Sequence, residues 1–160
     1  VSPLKPRDLK NFRGLDFFEF DSSYVVYAKI QETPHSPPFK MKTTTDNPAD
    51  FRKHGTLIFN LNDEQYILTA YENLDYLDVE GYENYLFLPF LDQTNGYETY
   101  GGGRYIDLYQ YDKDSILIDF NRAYNPQCVY DENFSCPVVP RDNLLNIRVE
   151  AGVKNFVSRY

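Results

Sequence analysis

Short runs in which apolar and polar residues alternate recur along the sequence, whereas no helical period extends beyond two turns. The clearest run is residues 55–71, where Leu57, Phe59 and Leu61 alternate with polar residues ahead of an Asn-Asp turn, after which the alternation resumes. A period of two is typical of a strand that buries one face, and two such runs around a tight turn are typical of a β-hairpin. The pattern therefore predicts a protein built from strands.

Further strands follow from the same reasoning. They are predicted at residues 23–30, 85–90, 104–111, 115–121 and 144–152. We expect the third and fourth of these to pair as a second hairpin, with its turn centred on Lys113. Strands joined by short turns predict an antiparallel all-β barrel or sandwich, with less than about a fifth of its residues in helix.

The length of the chain indicates one domain over residues 1–160. Two segments depart from the strand pattern. Residues 1–20 are predicted to form an irregular N-terminal arm, and residues 33–50, which contain four prolines, a long surface loop. Because the chain begins with Val1 rather than Met, we expect an N-terminal piece to have been lost, and a signal sequence is one candidate for it.

The composition supports strands and argues against two classes of partner. Fifteen Tyr and 12 Phe make 17% of the residues aromatic, and aromatic side chains favour pleated surfaces. The net charge of −8 gives no basic field for a nucleic acid or for an anionic membrane surface. No apolar run approaches the roughly 20 residues that a membrane span needs. A small molecule is therefore the expected partner.

Three consecutive glycines, Gly101 to Gly103, stand between Tyr100 and Arg104. They are not a phosphate-binding loop, because no Lys-Ser or Lys-Thr follows them and the next element is a predicted strand rather than a helix. A bulge or bend in the sheet is the simpler interpretation, and a close approach of the backbone to a ligand is compatible with it.

Arg104 is predicted to point into the sheet's interior, because strand parity places it on the same face as Ile106 and Leu108. A guanidinium in an apolar interior is costly unless a carboxylate meets it. Parity places Asp107 on the opposite face with Tyr105 and Tyr109.

The partner of Arg104 is therefore sought elsewhere. If Lys113 centres the turn of the second hairpin, Ile106 faces Phe120, and Asp119 then lies on the wrong face for Arg104. Glu98 is left as the expected partner of Arg104. A structural ion pair and a functional site are both compatible with this prediction.

A second polar stretch follows the predicted strand at residues 115–121. Asp119, Asn121, Tyr124 and Asn125 cluster at a strand end, where loops often carry function, although Asp and Asn also form purely local turns. Cys128 and Cys136 are the two cysteines of the chain. A disulfide between them is the first expectation, and two buried free thiols or a metal pair are the alternatives.

Known catalytic patterns are absent from the sequence. No serine lies in a nucleophile elbow, and neither cysteine has a histidine close to it in sequence. His35 lies in the proline-rich loop and His54 precedes a strand, so both are expected at the surface. The sequence predicts neither a cofactor nor a metal site.

Residues 86–108 and 118–152, with the motifs Glu-Thr-Tyr-Gly, Asp-Phe-Asn, Ala-Tyr-Asn-Pro and Cys-Pro, resemble the domain of unknown function family 1684 of bacteria and archaea. The resemblance extends to residues 2–30 and is strongest to the shorter bacterial members, although Val153-Lys154 stands where relatives often carry an acidic residue. The resemblance implies no established reaction. It does imply a secreted, periplasmic or lipid-anchored protein, with a cytoplasmic one as the alternative.

Two functional hypotheses follow. The first is a non-catalytic module that binds a small polar or sugar-like ligand at a tyrosine-rich mouth. The second is a hydrolase or isomerase in which a carboxylate acts as base and Arg104 holds an anionic group. Both use the same predicted residues, which are Glu98, Tyr100, Arg104, Asp119, Asn121, Tyr124 and Asn125.

Overall fold

The chain forms one antiparallel sheet that curls into a half-barrel, as seen in a computed structural model that describes residues 2–158. The strands are β1 (Val25–Glu32), β2 (Phe39–Met41), β3 (Ala49–Leu61), β4 (Glu64–Asn73), β5 (Tyr85–Phe90), β6 (Arg104–Tyr109) and β7 (Ser115–Asp119). Their order is β6-β5-β4-β3-β1-β7, and β2 pairs with β3. With 38% strand and 12% helix, the all-β prediction is confirmed.

Helical structure is confined to short segments. These are α1 (Pro6–Leu9) and 3₁₀ turns at Ser22–Tyr24, Leu74–Tyr76, Phe120–Arg122, Gln127–Val129 and Arg141–Asn143. Between residues 2 and 158 there is accordingly no helix with the length and apolar character of a membrane span. The predicted loop at 33–50 is not all irregular, because β2 lies inside it and pairs Phe39 with Phe51.

The first predicted hairpin is confirmed as β3 and β4. Leu61 pairs with Glu64, and the two turn residues between them, Asn62 and Asp63, have φ of 48° and 63°. Positive φ at both central positions is the geometry of a type I′ turn, which Asn and Asp tolerate.

The second predicted hairpin is wrong. β6 pairs with β5, with Ile106 opposite Leu88, whereas β7 pairs with β1, with Ile118 opposite Val26. Ile106 therefore does not face Phe120 across a ladder. β5 offers β6 an apolar partner, and the curl of the sheet brings the unpaired edges of β6 and β7 to the two sides of a groove of about 410 Å³.

The predicted strand at 144–152 is also wrong, although its apolar residues Leu145 and Val149 are buried as expected. Instead of joining a ladder, its backbone forms an isolated bridge between Leu144 and Leu91, just after the end of β5. Arg104 donates hydrogen bonds to carbonyl groups of this segment, including that of Ala151. In a strand, these carbonyls would accept from a neighbouring strand instead.

The sheet has a core on each face. The main core fills the inner face and contains Leu57, Phe59, Leu68, Leu88, Phe90, Ile106, Ile118 and Phe120. A smaller cluster on the outer face contains Met41, Phe51, Tyr71, Phe87, Tyr105 and Val139. A bulge in β3, between Lys53 and Gly55, places Phe51 in the outer cluster and Leu57 in the inner core although both have odd numbers.

The segment 123–140 covers part of the outer face. Backbone hydrogen bonds join Tyr124 to Tyr105 of β6 at one end, and Thr43 bridges Pro137 near the other. The outer face of β5 and β6 is therefore enclosed on one side and open on the other, which creates the concavity described next.

Candidate functional site

A concavity of about 690 Å³ lies on the outer face of the sheet, above the smaller core cluster. Phe51, Phe87 and Tyr105 line it from the sheet itself, and the segment 123–140 lines it from one side. We call it the tyrosine groove because of the residues that surround it, which are Tyr76, Tyr82, Tyr85, Tyr105, Tyr109, Tyr124 and Tyr130.

Strand parity explains how these tyrosines converge. Tyr85 on β5 and Tyr105 and Tyr109 on β6 have odd numbers, and all odd residues of these strands face outward while the even ones fill the inner core. Tyr76 and Tyr82 come from the connector between β4 and β5.

Two pairs of these rings are nearly perpendicular. Tyr82 and Tyr85 are nearly perpendicular at 87°, with ring centres 5.2 Å apart, and Tyr105 and Tyr124 meet at 84° and 5.8 Å. These are the edge-to-face arrangements that aromatic quadrupoles favour. Tyr82 and Tyr124 remain 39% and 37% exposed, so aromatic surface is left open to a ligand.

Asp107 is the one charged side chain among the residues that line the tyrosine groove. Its Oδ1 accepts hydrogen bonds from the hydroxyls of Tyr85, at 2.9 Å, and Tyr124, at 2.7 Å. Burial raises the pKa of both tyrosines, and the negative charge of Asp107 raises it further. The two hydroxyls therefore stay protonated and hold the carboxylate in one orientation.

Neutral polar side chains complete the lining, and they include Thr43, Asn47, Asn73, Asn125, Gln127 and Ser135. Asn125 donates to the Tyr130 hydroxyl over 3.3 Å, and its Oδ1 is buried without a hydrogen-bond partner among residues 2–158. Buried amide oxygens are normally paired, so this oxygen is an exception; because it is buried, it belongs to the wall of the groove and not to the surface that a ligand contacts.

The residues predicted from sequence do not form one site. Tyr124 and Asn125 line the tyrosine groove, but Glu98, Arg104 and Asp119 do not. Asp119 accepts from the backbone N–H of Asn121 at 3.0 Å, which is the local turn chemistry that the sequence left as an alternative. Asn121 in turn accepts from the N–H of Asp21 at 3.0 Å, a long-range hydrogen bond to the segment ahead of β1.

Arg104 points inward as predicted, but its partner is Asp92 and not Glu98. The guanidinium is fully buried, lies 3.4 Å from Asp92 Oδ1 and donates to the carbonyl of Val149 at 2.9 Å. Its carbon lies 5.2 Å from the centre of the Phe90 ring. Glu98 instead forms an ion pair with Arg148. Asp92 lies in a loop, where strand alternation does not predict the direction of a side chain, so the sequence did not identify it as the partner of Arg104.

Two of the three glycines, Gly102 and Gly103, have the steric role that the sequence favoured, whereas a Cβ on Gly101 would make only ordinary contacts. Gly103 has φ of +92°, and a Cβ there would lie 2.6 Å from the carbonyl oxygen of Phe90. A Cβ on Gly102 would lie 2.5 Å from the ring of Tyr100, which does not line the groove. Gly102 and Gly103 therefore allow the chain to bend against β5.

Cys128 and Cys136 are free thiols in the structure, so the expected disulfide is not formed there. They are neighbours nonetheless, because the backbone N–H of Cys128 donates to Cys136 Sγ at 3.1 Å. Cys136 lines the tyrosine groove, and burial raises the pKa of its thiol to about 12. A thiol with that pKa is a poor nucleophile at neutral pH.

His54 lies at the bulge in β3 and is half-buried, not at the surface as expected. Its Nδ1 is 2.8 Å from Glu72 Oε1, and its Nε2 is 2.6 Å from Gln110 Oε1. Both ring nitrogens are therefore occupied. His35 is exposed as expected. Over residues 2–158, no three His, Cys, Asp or Glu side chains come together in a way that could hold a metal ion.

Asp107 and the tyrosines of the connector are the groove residues that the sequence analysis missed. Parity had placed Asp107 beside Tyr105 and Tyr109 on the outer face, and an unpaired carboxylate between two tyrosines was the available signal.

Comparisons with known proteins place the chain among proteins without an assigned activity. Residues 10–154 match the family model described as "Protein of unknown function (DUF1684)". A solution NMR structure of an uncharacterised protein from Haloarcula marismortui is similar, with a TM-score of 0.76 and 34% identity. That match covers 96% of this chain and 82% of the other. None of the curated proteins matches the sequence.

Proposed function

The chain belongs to the DUF1684 family of proteins of unknown function, and we propose that it is a non-catalytic module that binds a small polar ligand in the tyrosine groove. The observation that supports this proposal is the concentration of part-exposed tyrosines around one concavity of about 690 Å³. Sites for small molecules typically measure about 300–1,000 Å³ and combine aromatic walls with a few fixed polar groups.

The polar groups of the groove are suited to orienting a ligand. Asp107 is held in place by two hydroxyl donors on Oδ1, and its Oδ2 takes no hydrogen bond from residues 2–158. Tyrosine supplies both an apolar ring and a hydroxyl, so the same walls can pack against a ligand and bond to it. This combination favours a compact molecule with a polar end.

The hydrolase or isomerase hypothesis loses the residue on which it depended. Arg104 is buried in the inner core and bonded to Asp92 and to backbone carbonyls, so its guanidinium is not available to an anionic group in the groove. The nearest candidates for a base and a nucleophile are also poor, since His54 is bonded at both nitrogens and the pKa of Cys136 is raised by burial. Binding is therefore the function that the geometry favours.

Amide NMR spectra test the proposal. The labelled protein is titrated with a neutral monosaccharide, a carboxylate and an alkylammonium salt, and we expect at least one probe to shift the amides of β5, β6 and residues 123–130. Tyr124→Ala should weaken that response, whereas Tyr97→Ala, which changes an exposed tyrosine outside the groove, should not. No response to any probe, or shifts confined to other surfaces, would refute the proposal. Export of the protein stays a prediction from the family resemblance.

A further inference from the structure

We infer that the ligand of the tyrosine groove is a small organic cation, an alkylammonium compound whose charge is neutralised by Asp107. The inference rests on the proposed function, since it names the class of ligand for the same groove. Charge, aromatic surface and the free oxygen of Asp107 each support it.

The charge balance of the groove is the first argument. Asp107 lies among aromatic rings, and no Lys, Arg or His is among the residues that line the groove. Within residues 2–158 Asp107 forms no ion pair. Arg122 and Asp107 both line the neighbouring groove between β6 and β7, but Arg122 does not line the tyrosine groove. The Asp107 side chain is exposed at the groove surface, where its negative charge attracts a cation and repels an anionic ligand.

The hydrogen bonds of Asp107 supply the second argument. Both tyrosine hydroxyls donate to Oδ1, which leaves Oδ2 with no hydrogen bond from residues 2–158. Because Tyr85 and Tyr124 use their protons on Asp107, their oxygens face the groove only as acceptors. The free oxygen of Asp107 and the two tyrosine oxygens therefore offer acceptors to a hydroxyl or N–H group carried by the cation.

The aromatic walls supply the third argument. The face of a tyrosine ring carries negative potential, and rings that surround a cation attract it more strongly when water is excluded. Tyr76, Tyr82, Tyr109 and Tyr124 are each between 37% and 45% exposed around the groove. A neutral sugar would also stack on such rings, but it would leave the charge of Asp107 without a counterion. The carboxylate therefore favours the cation.

The experiment compares choline with 3,3-dimethyl-1-butanol, which has the same shape and no charge. We expect calorimetry and amide NMR to show choline bound in the groove at least about tenfold more tightly than the neutral compound. Asp107→Asn keeps an oxygen that accepts from Tyr85 and Tyr124 but removes the charge, and it should abolish this preference. Asp63→Asn, which removes a carboxylate charge at the exposed turn between β3 and β4, should leave the preference intact.

The outcomes separate the inference from the proposed function. Equal binding of choline and its neutral isostere, or binding of glucose without choline, overturns the cation while leaving a binding groove in place. Unaltered choline preference in Asp107→Asn also overturns it. If no probe of any charge shifts the groove amides, the proposed function fails as well. Should Asp107→Asn fold poorly, the comparison of choline with its isostere in the unaltered protein still decides.

Discussion

Arg104 and Asp107 belong to the same strand but meet opposite environments. Arg104 lies in the inner core, where Asp92, the Val149 carbonyl and the Phe90 ring surround it. Asp107 lies on the outer face, where two tyrosines bond one of its oxygens and the other is left free. Arg104 is buried and finds an ion pair and carbonyl acceptors within the chain, although its Nε has no partner among residues 2–158, whereas Asp107 is exposed and keeps one oxygen free. A buried charge that is paired inside the fold indicates a structural role, and an exposed, unpaired charge beside an aromatic groove is available to a ligand.

Replacing Arg104 is the severest test of this contrast. Arg104→Ala leaves Asp92 buried without its counterion and several carbonyls unbonded, so we expect a loss of about 3–5 kcal/mol of unfolding free energy. Urea unfolding measures the loss. Arg122→Ala is the control, because Arg122 is exposed and should change stability by less than about 0.5 kcal/mol. Equal, small losses of unfolding free energy in both variants would mean that the buried contacts of Arg104 do not stabilise the fold.

The two carboxylates give a closer comparison. Asp92 accepts from the N–H of Val149 at 2.8 Å and from the hydroxyl of Thr94 at 2.8 Å, and its side chain is fully buried. Asp92→Asn removes the charge and leaves an amide among donors, so a loss of about 2–3 kcal/mol is expected. Asp107→Asn keeps its accepting oxygen, and we expect a loss below about 1 kcal/mol. If thermal unfolding ranked the variants in the opposite order, the roles assigned to the two carboxylates would be reversed.

The sequence was sufficient for one half of this contrast. Alternation along residues 104–109 placed Arg104 inside and Asp107 outside, and both placements are found in the structure. The partners could not be predicted because they are distant in the chain. Asp92 lies in a loop, and β6 pairs with β5 rather than with the next predicted strand. One side of the groove is formed by residues 123–140. The sequence of this segment has no hydrophobic period, so its position over the outer face of the sheet could not be predicted.

Glu72 is a carboxylate that is partly buried and bonded to His54 and Arg52, and its contribution to stability can be tested by lowering the pH. Burial alone would raise its pKa, but hydrogen bonds from His54 and Arg52 outweigh burial, so the pKa of Glu72 is lowered. A carboxylate with a lowered pKa stabilises the fold above its unfolded-state pKa, and this contribution is lost as the pH falls through the folded pKa. Glu72→Gln should therefore flatten the acid side of the stability profile. Glu80→Gln, at an exposed position, should leave the profile unchanged, and identical profiles for both variants would contradict the assignment.

The smallest effect is expected for the cysteines. Their alkylation tests whether the buried thiol of Cys136, beside the groove, is unreactive. Because burial raises the pKa of Cys136 to about 12, its thiolate is scarce at pH 8 and alkylation of the folded protein should be slow at this residue. After denaturation without a reductant, both cysteines should react, and intact mass should show two added groups. Export to an oxidising compartment, which the family resemblance implies, makes this a demanding test. No added groups under those conditions would show that Cys128 and Cys136 are joined, as the sequence first suggested, and that the wall of the tyrosine groove is covalently closed at this point.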